Sequence, residues 1–536
     1  MDLVAVYLTA AEGFGQAMRL ATIDRKLADL PLRQSLLLLS QMCFRVESAS
    51  PTDTDAHVEF AQHALPKSAV ARAVARLRRP YPTTIALSPQ AIVLLGIRLM
   101  SVSNGSVTVE SNPEELARKL GGLCLALSDH IDAGELTSES TILEFVRLGL
   151  FYSSKEHPGW LSLAGRLFFD VLPTLSSHSD WMDPHACFEA STGLKLQMFW
   201  ALTCAQGAEA AHSADNFIFP MNVVNVSDAQ IEAWKSLLSA TLTDAAEAAR
   251  ADMRQPLGWS MSAVWKRPII DLGEGRGPVL RPRLLQMQAE PAQIFWHIRD
   301  VLVKQGMDHN QWSRLHGSAV EKLGVQLLNE THSPGVVLDE RAFVTRWEIP
   351  ASSKRADAAI VTASRDLVII DFVGRQLTAA TTTTGDFASL TKDLRVGVSE
   401  KLEQIDATLQ AAQSMETGWR HFYPVVVSAG PMPYIPPLDD AVNDELAAVS
   451  LRVINNDPRC RRWLAMDLLN FQLLLNVSRH ERRTVPEIIE AWQGSALARN
   501  TFREWALRDG PAGHMPGGGL PADWQARVLA YLAETK

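Results

Sequence analysis

Two aspartates in the segment KRADAAIVTASRDLVIIDFVGRQ, residues 354–376, have the types and spacing to do chemistry. Asp357 and Asp371 are fourteen residues apart, and a turn centred on Ser364 sets them opposite each other on two strands of a hairpin. Directly opposed side chains have Cβ atoms roughly 4.5–5.5 Å apart, and like charges so placed destabilise a sheet. A shared divalent cation relieves that repulsion, and hard oxygen ligands favour Mg2+ or Mn2+. Such an ion could activate water and stabilise the charge developing on a phosphodiester. Glu321, on an apolar helix upstream, would complete an oxygen-rich site if that helix packs beside the hairpin. The plainer alternative makes Asp357 a strand-edge residue, Asp371 a strand-end cap and Glu321 a solvated flank.

The elements that must position these acids follow from the periodicity. A helix is expected from Leu315 to Asn329, then strands at Phe343–Ile349, Arg355–Val361 and Leu367–Val373. A threonine-rich loop, Gln376 to Gly385, precedes a long helix with Asp386 as N-cap. That helix carries Phe387, Leu390, Leu394, Val398, Leu402, Ile405 and Leu409 at steps of three or four. A further strand, Phe422–Ser428, ends at the proline-rich residues 431–437. The order helix, three strands, helix, strand implies a mixed α/β layer.

Quoted as they stand, GSAVEKLGVQLL, RADAAIV, LVIIDFV, VSEKLEQIDATL and HFYPVVVSAG arrive in an order that resembles the PD-(D/E)XK nuclease superfamily, a restriction-endonuclease-like core. The resemblance covers about a fifth of the chain and implies a metal-dependent phosphodiesterase, with DNA as the expected substrate. It makes Glu321, Asp357 and Asp371 metal ligands, and Gln404 and Lys401 helix residues approaching the site. One departure stands out: where the family carries a lysine two residues after the second acid, this chain has Val373. The hairpin register places Arg355 opposite Val373, so its guanidinium could supply the charge; Lys392 and Lys401 are the other candidates. Arginine stays charged, which suits charge stabilisation better than proton transfer. The alternative is a catalytically degenerate nuclease fold that binds nucleic acid or protein as a scaffold. By analogy, proteins with such a core serve bacterial defence or repair.

The remainder of the 536 residues divides, on the sequence, into a helical module over 1–258, a β-hairpin and connecting helix over 259–314, the nuclease-like core over 315–437 and a helical segment over 438–536. In the first module, Asp228 reads as the cap of a helix through Ile231 and Trp234, and Ile142–Leu150 as a buried helix. Near the end, Leu464–Leu475 reads as helix, and Thr484 with Glu487 as a capping box. The net charge of −9 excludes a generic polyanion binder, so nucleic-acid contact requires local basic patches. The segment Lys67–Arg79 offers one: Arg72, Arg76 and Arg79 fall at helical spacing and could grip phosphates, although a solvated helix face has the same pattern. The helical module could also hold a protein partner. Five dispersed cysteines suggest no zinc site or disulfide framework, and the absence of long apolar runs suggests a cytoplasmic protein with no membrane partner.

Overall fold

The computed structural model describes residues 6–49, 53–79, 84–104, 112–131, 158–212, 226–255, 261–273, 277–331, 334–350, 352–384, 386–430, 451–495, 502–508 and 522–533. The expected helix at Ile142–Leu150 lies outside them, as do residues 431–437. Within them the fold is mixed: many helices, two small two-stranded sheets, and one five-stranded sheet. No described helix is long and apolar enough to cross a membrane.

The large sheet has the order β5 (Val336–Asp339), β6 (Ala358–Val361), β7 (Asp366–Val373), β8 (His421–Ser428), β9 (Leu464–Asp467). The first two pairings are antiparallel and the last two parallel. All eight residues of β7 are buried, as expected for a central strand covered on both faces. Alternation sends Val368, Ile370 and Phe372 into one apolar core and Leu367, Ile369 and Val373 into another. The first core includes helix His309–Thr331, which carries Glu321, and the C-terminal helix Leu468–Glu481. The second includes the helix through Lys401.

Four local expectations need correction. Phe343–Ile349 is not a strand: Asp339 accepts from the Ala342 amide (2.8 Å) and caps helix Glu340–Arg346, and the strand before it is Val336–Asp339. The rings of Phe343 and Trp347, four apart, stack at 5.5 Å, a helical spacing. In the threonine-rich segment, Ala379–Thr384 forms a short helix. The apolar run from Leu464 splits into β9 and helix Leu468–Glu481, with Asp467 as N-cap. Ser227, not Asp228, caps helix Asp228–Leu238, through a capping box with Gln230. The capping box of Thr484 and Glu487 is present, and Asp386 caps its helix by accepting from Ser389 N at 3.0 Å.

One further core organises the rest of the chain. It gathers residues from Leu8 to Ile131 together with Ala240 to Met287, so side chains on both sides of residue 258 share it. β3 (Ser239–Thr241) pairs with β4 (Ile269–Asp271) across the same point. Beyond β4 the chain returns, with Ile269 bridged antiparallel to Val279. The core on the Val368 face of β7 also takes in residues between Trp160 and Leu302.

Candidate active site

The β6–β7 register pairs Ala358 with Ile370 and Ala359 with Ile369, and one further step back sets Asp357 opposite Asp371. Asp357 stands just outside the ladder. Its amide donates to Ile370 O (3.1 Å), and its Oδ2 accepts from Phe372 N–H at 2.7 Å. Asp371 is fully buried, and among the described residues no backbone amide donates to either of its carboxylate oxygens. Burial pushes its pKa well above the ordinary carboxylate value, and the neighbouring Asp357 charge pushes in the same direction. Asp357 is also raised, by burial, against the opposing pull of Lys401 and the Phe372 amide.

Helix His309–Thr331 delivers Glu321 because two glycines let it lie directly on β7. A side chain on Gly324 would meet the Phe372 ring at 2.2 Å. At the strand's exit, a side chain on Gly374 would lie 2.7 Å from Gly317 Cα. Gly317, Glu321 and Gly324 are spaced by four and three, so they share one helix face. Burial, Asp357 and Glu340 together raise the Glu321 pKa to about 7, with Lys401 opposing them.

The positive charge comes from the long helix. That helix runs from Phe387 to Leu394, passes through a π-turn at Arg395–Ser399, and continues from Glu400 to Met415. Steps of four overshoot an α-helical turn by about 40° each at 3.6 residues per turn. Leu390, Leu394, Val398 and Leu402 take three such steps, and the wider π-turn absorbs the drift that would otherwise rotate the stripe off the sheet. Lys401 is the second residue of the segment after that turn. Its Nζ lies 2.7 Å from Asp371 Oδ1 and donates to Gln404 Oε1 at 2.9 Å. Burial alone would lower the Lys401 pKa, but the Asp371 and Asp357 carboxylates outweigh it and hold the ammonium above its ordinary value.

The other expected residues are placed as follows. Arg355 does not fill the gap beside Val373: its Nε pairs with Glu340, which the helix at 340–346 brings to it. Lys392 is exposed, ahead of the π-turn. Val373 is buried in the apolar cluster that holds Val398 and Leu402, a poor environment for an ammonium on the strand itself. Arg76, half-buried on helix Lys67–Leu77, pairs with Glu12 at 3.0 Å, and Arg72 lies against Gly15. Arg72 and Arg79 are exposed, and this helix packs on the core of residues 8–287, away from the acids. Sequence reasoning missed Glu340, which lies just ahead of the strand expected at Phe343–Ile349, because the helix that begins at Glu340 was not foreseen.

In chemistry, the pair Asp357–Asp371 fits a hard cation, since the buried Asp371 oxygens, which no backbone amide reaches among the described residues, stand beside the Asp357 carboxylate. In arrangement the set is incomplete: among the described residues no three His, Cys, Asp or Glu side chains are grouped as a metal ion's ligands. Fold and site together define a mixed α/β protein with a buried acid pair, a third acid on one flanking helix and a lysine on the other. No family model, curated protein or solved structure matches the chain.

Proposed function

We propose that the five-stranded sheet and its flanking helices form a PD-(D/E)XK-type nuclease core, a metal-dependent phosphodiesterase acting on DNA, in which Lys401 takes the part of the strand lysine replaced by Val373. The observation that carries the reading is the Lys401 ammonium 2.7 Å from Asp371. Asp371 and Asp357, with Glu321, would hold Mg2+ or Mn2+, which when bound lowers the pKa of water and spreads phosphate charge. Lys401 supplies a fixed positive charge where negative charge develops on the phosphate, and Gln404 holds that ammonium in place. Glu321, at about 7, exchanges its proton near neutral pH and can take one from an attacking water.

A second reading draws on the same geometry. Lys401 already pairs with Asp371 and the acids do not form a closed ligand set, which suits a degenerate fold that binds nucleic acid without cutting it. Supercoiled plasmid and linear duplex incubated with Mg2+ or Mn2+ separate the two. The nuclease reading expects nicking by the wild type and a loss of about 100-fold or more in Asp371→Asn and Lys401→Met. Retained DNA binding with no cleavage by the wild type under either metal supports the scaffold, and equal nicking by all three proteins removes the site.

A further inference from the structure

Three residues beyond the end of β7, Gln376 enters the wall of a cavity of about 120 Å³, separate from the acid cluster. Helix Pro291–Lys304 forms the opposite wall with Gln293, Trp296 and His297, and Glu290 and Trp265 close it. Two apolar planes and several polar groups therefore line one small space.

The polar groups are built in, not surface accidents. Glu290 is 2% exposed and its Oε1 lies 2.5 Å from Arg283 Nη1, so a guanidinium balances the charge. Gln376 is 6% exposed, and its buried Nε2 donates to nothing among the described residues. Gln293, 9% exposed, lines the same cavity. A buried donor left without an acceptor costs stability, so Gln376 marks a place where something else supplies the bond. His297 is fixed as well: Gln288 donates through Nε2 to Trp265 O (2.8 Å) and Leu284 O (3.1 Å), which leaves Gln288 Oε1 to accept from His297 Nε2 at 3.0 Å. The proton is then on Nε2 and Nδ1 is an acceptor.

The segment bearing Gln376 is clamped. Asp393, buried, accepts from Arg375 Nη2 (3.1 Å), Thr378 N (2.8 Å) and the hydroxyls of Thr378 (2.9 Å) and Thr381 (2.7 Å). A side chain at Gly430 would collide with Gln376 Oε1 at 2.0 Å, so this glycine is required for the carboxamide to sit where it does.

From this we infer that the cavity is a nucleobase pocket, taking a planar heterocycle with an N–H edge against walls that include Trp265 and Trp296. Carboxamides offer a paired donor and acceptor, which reads a base edge in two bonds, and Glu290 accepts from an exocyclic amine or ring N–H. Indoles pack against any base, because every base has a π-face. The base could come from a free nucleotide or from a strand whose base has left its stack.

Isothermal titration of the full chain with guanosine, adenosine, cytidine and uridine, without metal, tests the pocket independently of cleavage. At least one nucleoside is expected to bind below millimolar concentration, and Gln376→Leu and Gln293→Leu to weaken it tenfold or more with the melting temperature kept. A duplex with one mismatched base that binds more tightly than its paired counterpart assigns the pocket to a strand-borne base; equal binding assigns it to a free nucleotide. No binding by any of the four nucleosides, or equal binding by both leucine variants, overturns the inference whether or not the acid site cuts DNA.

Discussion

Asp371 and Asp406 are both buried carboxylates on the same side of the sheet, and they are treated in opposite ways. Asp406, on the helix that carries Lys401, accepts from the amides of Arg452 (2.9 Å), Val453 (2.8 Å) and Ile454 (2.9 Å) and from Gln410 Nε2 (2.7 Å). It stitches the chain at 452–454 to the helix and has its lone pairs filled. Asp371 meets one ammonium and a second carboxylate, and among the described residues no backbone amide donates to it. Burial therefore does not distinguish a working acid from a structural one; the difference lies in whether the fold satisfies it. A fully bonded carboxylate stabilises the native state, whereas an unsatisfied one beside a like charge costs stability and persists where something else is to bind.

The largest expected effect separates the two by activity. Asp371→Asn should abolish metal-dependent nicking, by about 1,000-fold, while changing the melting temperature little, because Lys401 keeps Asp357 as a counter-charge and the repulsion between two adjacent carboxylates is removed. Thermal melts beside the plasmid assay measure both. A large loss of stability in this variant would make Asp371 a structural residue like Asp406, and the contrast would collapse.

Asp406→Ala should do the reverse. Three backbone amides lose their acceptor, and each costs roughly 1–3 kcal/mol, so a loss of about 3 kcal/mol or more is expected in urea unfolding. That loss should not depend on Mg2+ or Mn2+. A metal-dependent stability change at Asp406 would place the ion elsewhere.

How much of this was readable beforehand depends on the kind of signal each part leaves. The facing of Asp357 and Asp371 was legible because a hairpin's register is arithmetic once its turn is placed. Arg355 was named for the vacancy at Val373 on the same arithmetic, but register fixes only the Cα partner. Glu340 holds that guanidinium, brought there by a helix whose later residues, Phe343 to Arg346, were read as strand. Lys401 was among the candidates, yet the π-turn that sets its face was not foreseen; three successive four-residue steps, Leu390 to Leu402, are the trace it leaves in the sequence. β9 was missed because a buried parallel strand and a buried helix both read as continuous apolar residues. The glycines at 317 and 324, flanking Glu321, were visible but silent until the helix was seen lying on Phe372 and Gly374.

A smaller effect tests which cation serves the acids. Lys401→Met should lower single-turnover cleavage by about 100-fold, as for loss of a positioned charge, while Arg355→Met should stay within about twofold. If Arg355→Met is the more damaging, the guanidinium leaves Glu340 during turnover and the ion pair seen here is a resting arrangement.

The smallest effect is on pH and sharpens the contrast at Glu321. Its pKa is raised from an ordinary 4.5 to about 7, first by burial and then by the charges of Asp357 and Glu340. An acid raised in the fold is easily kept protonated, so its share of stability is intact below about 4.5 and is lost as pH climbs through about 7. Without divalent metal the wild type should therefore lose stability over that window, and Glu321→Gln should make the slope shallower without removing it, since Asp357 and Asp371 are raised too. Mg2+ should flatten the wild-type curve more than the variant's, because an ion among the acids replaces protons as their counter-charge. Urea unfolding at several pH values, with and without Mg2+, reads all of these slopes. Identical slopes in the two proteins would mean that Glu321 faces solvent in the working state and does not belong with the aspartates.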